Sequence, residues 1–333
     1  MKASQLTAAI RFAIEHKLPL LIKGAPGTGK SDIIAQACSA AGAELIISHP
    51  VVSDPTDYKG LPFPVKDKAE ASFLPFGDLL RLTQAQRPTV FFLDDLGQAP
   101  MSVQAACMQL ILARQVNGHM VSDQVVFLAA TNRRQDKAAV LGILEPVKSR
   151  FAGIIELEVD LDDWVSWAYA HNMPPELIAF VRYRPTLLHD FKPSADIVNS
   201  PSPRTVAYVG KMLNAGIPEG LEYELISGAA GEGFAAEFMG FLKLWESLPD
   251  IPAILADPDH APLPTEPSVL FAVVGALVAK ADRHNFASIM RYTRRLPGEF
   301  QVLLANDATR CKPLLANVPD FAQWAIEHQS LQL

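Results

Sequence analysis

The stretch that decides the fold is LLIKGAPGTGKSDIIAQA, Leu20 to Ala37. A short apolar run reads as a buried strand, a glycine-bounded turn follows, and KSDIIAQA opens a helical pattern. Inside it, GAPGTGKS (residues 24–31) fills the pattern G-x-x-x-x-G-K-[ST] completely, in the strand-to-helix context that the pattern requires. Glycines let the backbone turn so that successive N–H groups face one point, and the helix start adds further N–H groups and the positive end of its dipole. A chain of phosphates suits such a cradle. Gly24, Ala25, Pro26, Gly27, Thr28 and Gly29 would form it. Lys30 would reach the β- and γ-phosphates, and Ser31 would ligate Mg²⁺. ATP and Mg²⁺ are the ligands this reading implies.

Downstream, TVFFLDD reads as a strand ending in two carboxylates about sixty residues after the cradle. Ligands of open parallel sheets bind at the carboxyl ends of the strands. Asp94 is therefore expected to hold Mg²⁺ and Asp95 to polarise an attacking water. QVVFLAATN reads as the next strand, and Asn132 at its end would orient that water. Arg150, in VKSRF, precedes a fifth strand, GIIELEV. One protomer does not easily bring it to its own γ-phosphate, so a role there implies a neighbouring subunit, with the guanidinium stabilising transition-state charge in trans.

Between these landmarks, apolar spacing predicts a helix over 4–16, a strand AELIIS, a helix MSVQAACMQLILARQ and a helical KAAVLGILE up to about Pro146. Residues 50–80, rich in proline and turn formers, are too long for a plain connection and read as a functional insertion. RQVNGHMVSD contains Asn117-Gly118, the strongest short hairpin signal. Short apolar strands alternating with helices predict a parallel three-layer α/β sheet. From Leu161 strand signals fade. LDDWVSWAYAHN, PPELIAFVRYR, RTVAYVGKMLNAG, FAAEFMGFLKLWESL, PSVLFAVVGALVAKA and FASIMRYTRRL read as helices, with proline-rich breaks at 185–203 and 249–267. Trp164 with Trp167 and Phe234 with Phe238 read as core packing.

The chain has 333 residues, 49% hydrophobic and 20% charged, which supports more than one packed domain. A net charge of −7 argues against broad non-specific binding to nucleic acid or to an anionic membrane. Three dispersed cysteines, Cys38, Cys107 and Cys311, fit a reducing cytoplasm and give no zinc spacing. Charges at Arg11, Glu15, His16 and Lys17 interrupt any export-signal core, and no uncharged run has membrane-spanning length.

The ordered set GAPGTGKS, VFFLDD, AATN, SRF and SPRT (202–205) resembles the AAA+ ATPases, most of all their MoxR-type branch of bacterial and phage proteins. The resemblance covers roughly residues 1–240. It implies Walker A, Walker B, sensor 1, an arginine finger at Arg150 and a sensor 2 at Arg204, which would reach the γ-phosphate from a helical lid. DPTDYKGLPFP (54–64) looks like the lead into a helix-2 insert, and residues 115–124 like a pre-sensor-1 hairpin; in related assemblies these elements face the central pore or the substrate. The implied fold is a P-loop NTPase three-layer parallel sheet, the AAA+ core, over 1–160. An α-helical lid over 161–245 and a helical C-terminal extension over 246–333 would follow. The implied activity is Mg-dependent ATP hydrolysis by a homo-oligomeric ring, expected as a hexamer. That ring would remodel a protein client together with a von Willebrand factor A domain partner. The second reading is a nucleic-acid-associated motor or restriction-type NTPase. The insert mixes Lys59, Lys66 and Lys68 with Asp54, Asp57, Asp67 and Glu70, which does not favour DNA. A nucleotide-dependent scaffold is a third reading, prompted by Asp95, which stands where the family usually has Glu. Arg133 and Arg134 read either as contacts across a subunit interface or as solvated charges.

Overall fold

The computed structural model describes residues 1–136, 142–194 and 196–328, and falls into two compact units, Met1–Asp160 and Leu161–Leu333. The strands of the first are β1 (Leu20–Lys23), β2 (Glu44–Ser48), β3 (Leu61–Pro64), β4 (Ala71–Leu74), β5 (Thr89–Leu93), β6 (Gln115–Val116), β7 (His119–Met120), β8 (Val125–Thr131) and β9 (Gly153–Glu156). Its helices are α1 (Ala3–His16), α2 (Lys30–Ala40), α3 (Gly77–Gln84), α4 (Met101–Ala113) and α5 (Glu145–Lys148). Five strands form a parallel sheet in the order β2-β5-β8-β1-β9. This is the parallel α/β layering of a P-loop NTPase, and a helical region follows it.

The two-residue period of a strand sorts side chains between the layers. Leu20, Ile22, Val90, Phe92, Val126 and Leu128 pack with Leu6, Ile10 and Ala13 of α1 and Ile34 and Ala37 of α2. Their neighbours Leu21, Phe91, Leu93, Val125, Phe127 and Ala129 face Leu79 and Leu82 of α3 and Val103, Cys107 and Leu110 of α4. β5 and β8 are buried along their whole length because helices cover both faces. Each large side chain so buried contributes about 1.5–3 kcal/mol.

The insertion expected over 50–80 is an ordered excursion. Two 3₁₀ turns, Pro50–Val52 and Pro55–Tyr58, lead into the antiparallel β3–β4 hairpin, and α3 returns the chain to the sheet. Tyr58 is buried at its base, its phenol 2.7 Å from Ser48 Oγ and 3.2 Å from Ser53 Oγ. Burial pushes that phenol up to about 12, so it stays protonated. The second hairpin, β6–β7, turns at Asn117 and Gly118, with φ of 44° and 91°, the two-residue geometry that the Asn-Gly pair favours. The hairpins are tied together: Asn117 Nδ2 donates to Lys59 O (2.7 Å), and a His119 ring nitrogen lies 2.8 Å from Phe73 O.

One expectation needs correction. Of the helix expected up to Pro146, residues 137–141 lie outside the described residues, while 142–144 are not helical and only Glu145–Lys148 form α5. Gly142 has φ of 102°, and the fully buried Gln104 ties this segment to α4: its Nε2 donates to Gly142 O (2.8 Å) and Ala99 O (3.1 Å), and its Oε1 accepts from Leu144 N (3.1 Å).

The second unit contains α6 (Leu161–Ala170), α7 (Pro175–Tyr183), α8 (Pro203–Ala215), α9 (Glu222–Ala230), α10 (Glu232–Glu246), α11 (Ile251–Ala256), α12 (Pro267–Lys280), α13 (Phe286–Thr293), α14 (Gly298–Cys311) and α15 (Pro319–Glu327). Phe180 of α7 gathers Phe234, Phe238 and Phe241 of α10 with ring centroids 5.0–5.5 Å apart. Helices on both sides of residue 245 pack together, α12 on α7 and α14 on α6. A polar cluster also joins α6, α7 and α14. Arg182 of α7 donates Nε to Asp307 Oδ2 of α14 (3.1 Å), adds a second bond to Asp307 Oδ1, and reaches Asp162 Oδ1 of α6 (2.6 Å). No helix among the described residues is long and apolar enough to cross a membrane.

Asp307 is only 2% exposed, and deleting its carboxylate removes two of the bonds to the Arg182 guanidinium, leaving Asp162 as its carboxylate partner. Asp307→Ala is expected to destabilise the second unit by about 3–5 kcal/mol, read as a lowered urea midpoint.

Candidate functional site

Four backbone ends meet at the carboxyl edge of the sheet. β1 leads into the cradle, where Gly27 and Gly29 take φ of 74° and 87°, and Gly29 caps α2. β8 lies between β1 and β5, in register Lys23↔Thr131 and Leu93↔Ala129. Residues immediately beyond these strands therefore become neighbours although more than a hundred positions separate the first from the last. Gly24 N donates to Thr131 O (3.2 Å), pinning the start of the cradle to β8, and Asp94 N donates to Ser48 O (2.9 Å), pinning the end of β5 to β2.

Lys30, 7% exposed, donates its ammonium to Gly24 O (3.1 Å), Ala25 O (3.0 Å) and Asn132 Oδ1 (2.7 Å). Thr28 Oγ1 donates to Ala25 O (2.9 Å) and braces the loop from within. Ser31 Oγ donates to Asp94 Oδ2 at 2.7 Å. A hydroxyl and a carboxylate oxygen, side by side at the start of α2, form the hard-oxygen set that suits Mg²⁺ beside phosphate. Asn132 Nδ2 faces Asp95 Oδ1 at 3.4 Å. Lys30, Ser31, Asp94, Asp95 and Asn132 thus form one connected cluster.

Two candidates remain. Arg150 follows α5; its guanidinium donates to Pro146 O, and its Nε is buried with no partner among the described residues. Arg204 lies in the first turn of α8 in the second unit and is exposed. Arg133 is engaged within the chain. It grips buried Asp136 with two bonds of 2.9 Å and reaches Glu156 at 3.2 Å. Lys23 first and Arg133 second hold the Glu156 carboxyl below the usual carboxylate range. Arg134 is exposed.

Sequence reasoning passed over Gln98, Gly97 and Gln104. Gln98 Nε2 donates to Asp95 Oδ1 (2.9 Å); the only sequence signal is a polar residue three positions after the acid. Gly97 lets the turn after β5 lie against β8, since a Cβ there would stand 2.2 Å from Thr131 Oγ1 and 3.2 Å from Thr131 Cβ.

Residues 20–159 match the family model described as ATPase family associated with various cellular activities (AAA). The match spans the cradle, both carboxylates, Asn132 and Arg150, and an AAA ATPase domain implies nucleotide binding. No curated protein matches the chain. Similar solved structures include the P216G mutant of Thermotoga maritima RuvB, at 16% identity over 82% of this chain and 80% of that one, with a TM-score of 0.44. The Thermotoga maritima RuvB Holliday junction branch migration motor shares 16% identity over the same fractions, with a TM-score of 0.40. NtrX from Brucella abortus shares 11% identity over 97% of this chain and 67% of that one, with a TM-score of 0.41.

Gly97→Ala is expected to force the turn off Thr131, costing about 1–3 kcal/mol in unfolding free energy. Thr131→Ala in the same chain should return part of that loss, because the closest atom met is the Thr131 hydroxyl; thermal melts of the single and double variants check this.

Proposed function

We propose that the protein is a Mg-dependent ATPase of the AAA+ type, close to the MoxR branch, that works as a ring oligomer to remodel a protein client. The ATPase part is supported by the cluster of Lys30, Ser31, Asp94, Asp95 and Asn132. Lys30 and the cradle from Gly24 to Gly29 bind the phosphates, and Ser31 and Asp94 supply oxygens to the metal. Bound Mg²⁺ supplies positive charge that offsets the charge developing on the phosphates. Asp95 polarises the attacking water, and Asn132, held at one end by Lys30 and near Asp95 at the other, fixes its position. Arg150 acts in trans on the γ-phosphate bound by a neighbouring subunit, whereas Arg204 reaches the γ-phosphate from the helical lid and reports its loss.

One observation carries the remodelling part: the joined β3–β4 and β6–β7 hairpins present Leu61, Phe63, Phe73, Leu74 and Met120 to solvent. Exposed apolar groups on two bonded hairpins suit contact with protein. A hexameric ring, a partner carrying a von Willebrand factor A domain and a cytoplasmic site of action complete the proposal. It would yield to the nucleic-acid motor reading if DNA stimulated hydrolysis with a steep salt dependence.

Lys30→Ala is expected to abolish ATP binding in equilibrium titrations. Arg150→Ala should still bind ATP yet hydrolyse it roughly a thousandfold more slowly at protein concentrations where the wild type assembles. Normal turnover by that variant would refute an arginine acting in trans. Asp95→Asn, trapped with ATP, should retain client and partner in pull-downs, whereas Lys30→Ala should not.

A further inference from the structure

We infer that Gln98 is a positioning residue for hydrolysis: it holds the short Asp95 carboxylate by one oxygen and so aims the other at the attacking water, an inference that rests on the ATPase reading above. Asp95 has φ of 55° and starts the 3₁₀ turn Leu96–Gln98, closed by Gln98 N donating to Asp95 O at 3.0 Å. That tight turn brings the Gln98 side chain back over the acid, where Nε2 donates to Asp95 Oδ1 at 2.9 Å. Asn132 Nδ2 approaches the same oxygen from β8 at 3.4 Å. Both amide donors therefore converge on Oδ1, and Oδ2 is the oxygen left to meet water.

The direction of the Gln98 amide follows from charge. An ionised carboxylate only accepts, so Nε2 must face Asp95 and Oε1 must point away. Oε1 is then buried with no partner among the described residues. Leaving a buried acceptor unsatisfied opposes folding. A leucine would fill similar space without that penalty, so packing alone does not account for an amide at this position; the bond to Asp95 does. The same contact explains how an aspartate serves where a longer acid is usual in similar ATPases. An extra methylene would carry the carboxyl about 1.5 Å further, into an amide that already sits 2.9 Å away. Gln98 occupies the room a glutamate would need, and a clamp on one oxygen replaces its reach.

The test is steady-state ATP hydrolysis by Gln98→Leu and Gln98→Ala, with ATP affinity and thermal midpoint measured in parallel. The expected result is a kcat lowered roughly 10- to 100-fold, with KM and ATP affinity within about twofold of wild type. Asp95→Glu should be harmful in the wild-type chain and far less so when combined with Gln98→Ala, so the two losses should not multiply. The proposal is overturned if Gln98→Leu keeps its kcat, if KM rises while kcat holds, or if the double variant shows the full product of the single losses. A wild-type chain that binds ATP and never turns it over overturns the ATPase reading and this one with it.

Discussion

The site depends on an ammonium that is almost out of water. Lys30 is nearly buried, and removing a charge from solvent costs several kcal/mol unless oxygens replace the lost hydration. Two of its acceptors, the Gly24 and Ala25 carbonyls, belong to the cradle and hold its first turn closed. The third is Asn132 Oδ1, one residue beyond β8. The lysine can be satisfied in this way only if β8 lies beside β1, which is the strand order observed. The same bond orients the Asn132 amide, because the end that accepts from Lys30 turns the donating end toward Asp95. Loop conformation, sheet order and the placing of the Asn132 amide beside Asp95 therefore share one cause.

The adjacent carboxylates must do different things, and backbone geometry separates them. Asp94 continues from β5; its Oδ2 accepts from Ser31 Oγ and its Oδ1 from the N–H of Asp95 at 3.0 Å. Asp95 swings into the left-handed region, which aspartate tolerates better than most residues. One carboxylate is thereby directed at the cradle and the other at Asn132 and Gln98. The Asp95 N–H bonded to Asp94 Oδ1 offsets part of the charge on that carboxylate. The close approach of Gly97 to Thr131 lets the turn carrying this arrangement rest on β8.

Much of this was legible in the chain because each signal was local. The cradle, the alternation of strands and helices, and the Asn117-Gly118 turn rest on residues close in sequence whose geometry leaves few options. The β3–β4 hairpin was not legible: Pro62 and Pro64 read as turn formers, yet a two-stranded ribbon standing off the main sheet tolerates them. The helix expected before Pro146 followed apolar spacing, and the described part of that segment is shaped instead by Gly142 and by bonds to Gln104, forty residues away. α14 carries Asn306, Asp307 and Thr309, weak helix formers that obscured it. Asp307 is there for the Arg182 pair.

The same distinction separates the readable part of the site from the rest. Lys30, Ser31, Asp94, Asp95 and Asn132 are legible because each belongs to a motif whose chemistry demands that residue type at a strand end. Gln98, Gly97 and Gln104 answer to no such demand. Their roles arise only after β8 has been placed between β1 and β5, when the turn after β5 must both touch Thr131 and bend a side chain back over Asp95. A motif states which atoms meet the phosphates. Which atoms hold those atoms in place depends on packing, and in this protein much of the support comes from side-chain amides: Gln98 and Asn132 meet charged groups, and the buried Gln104 ties backbone to backbone.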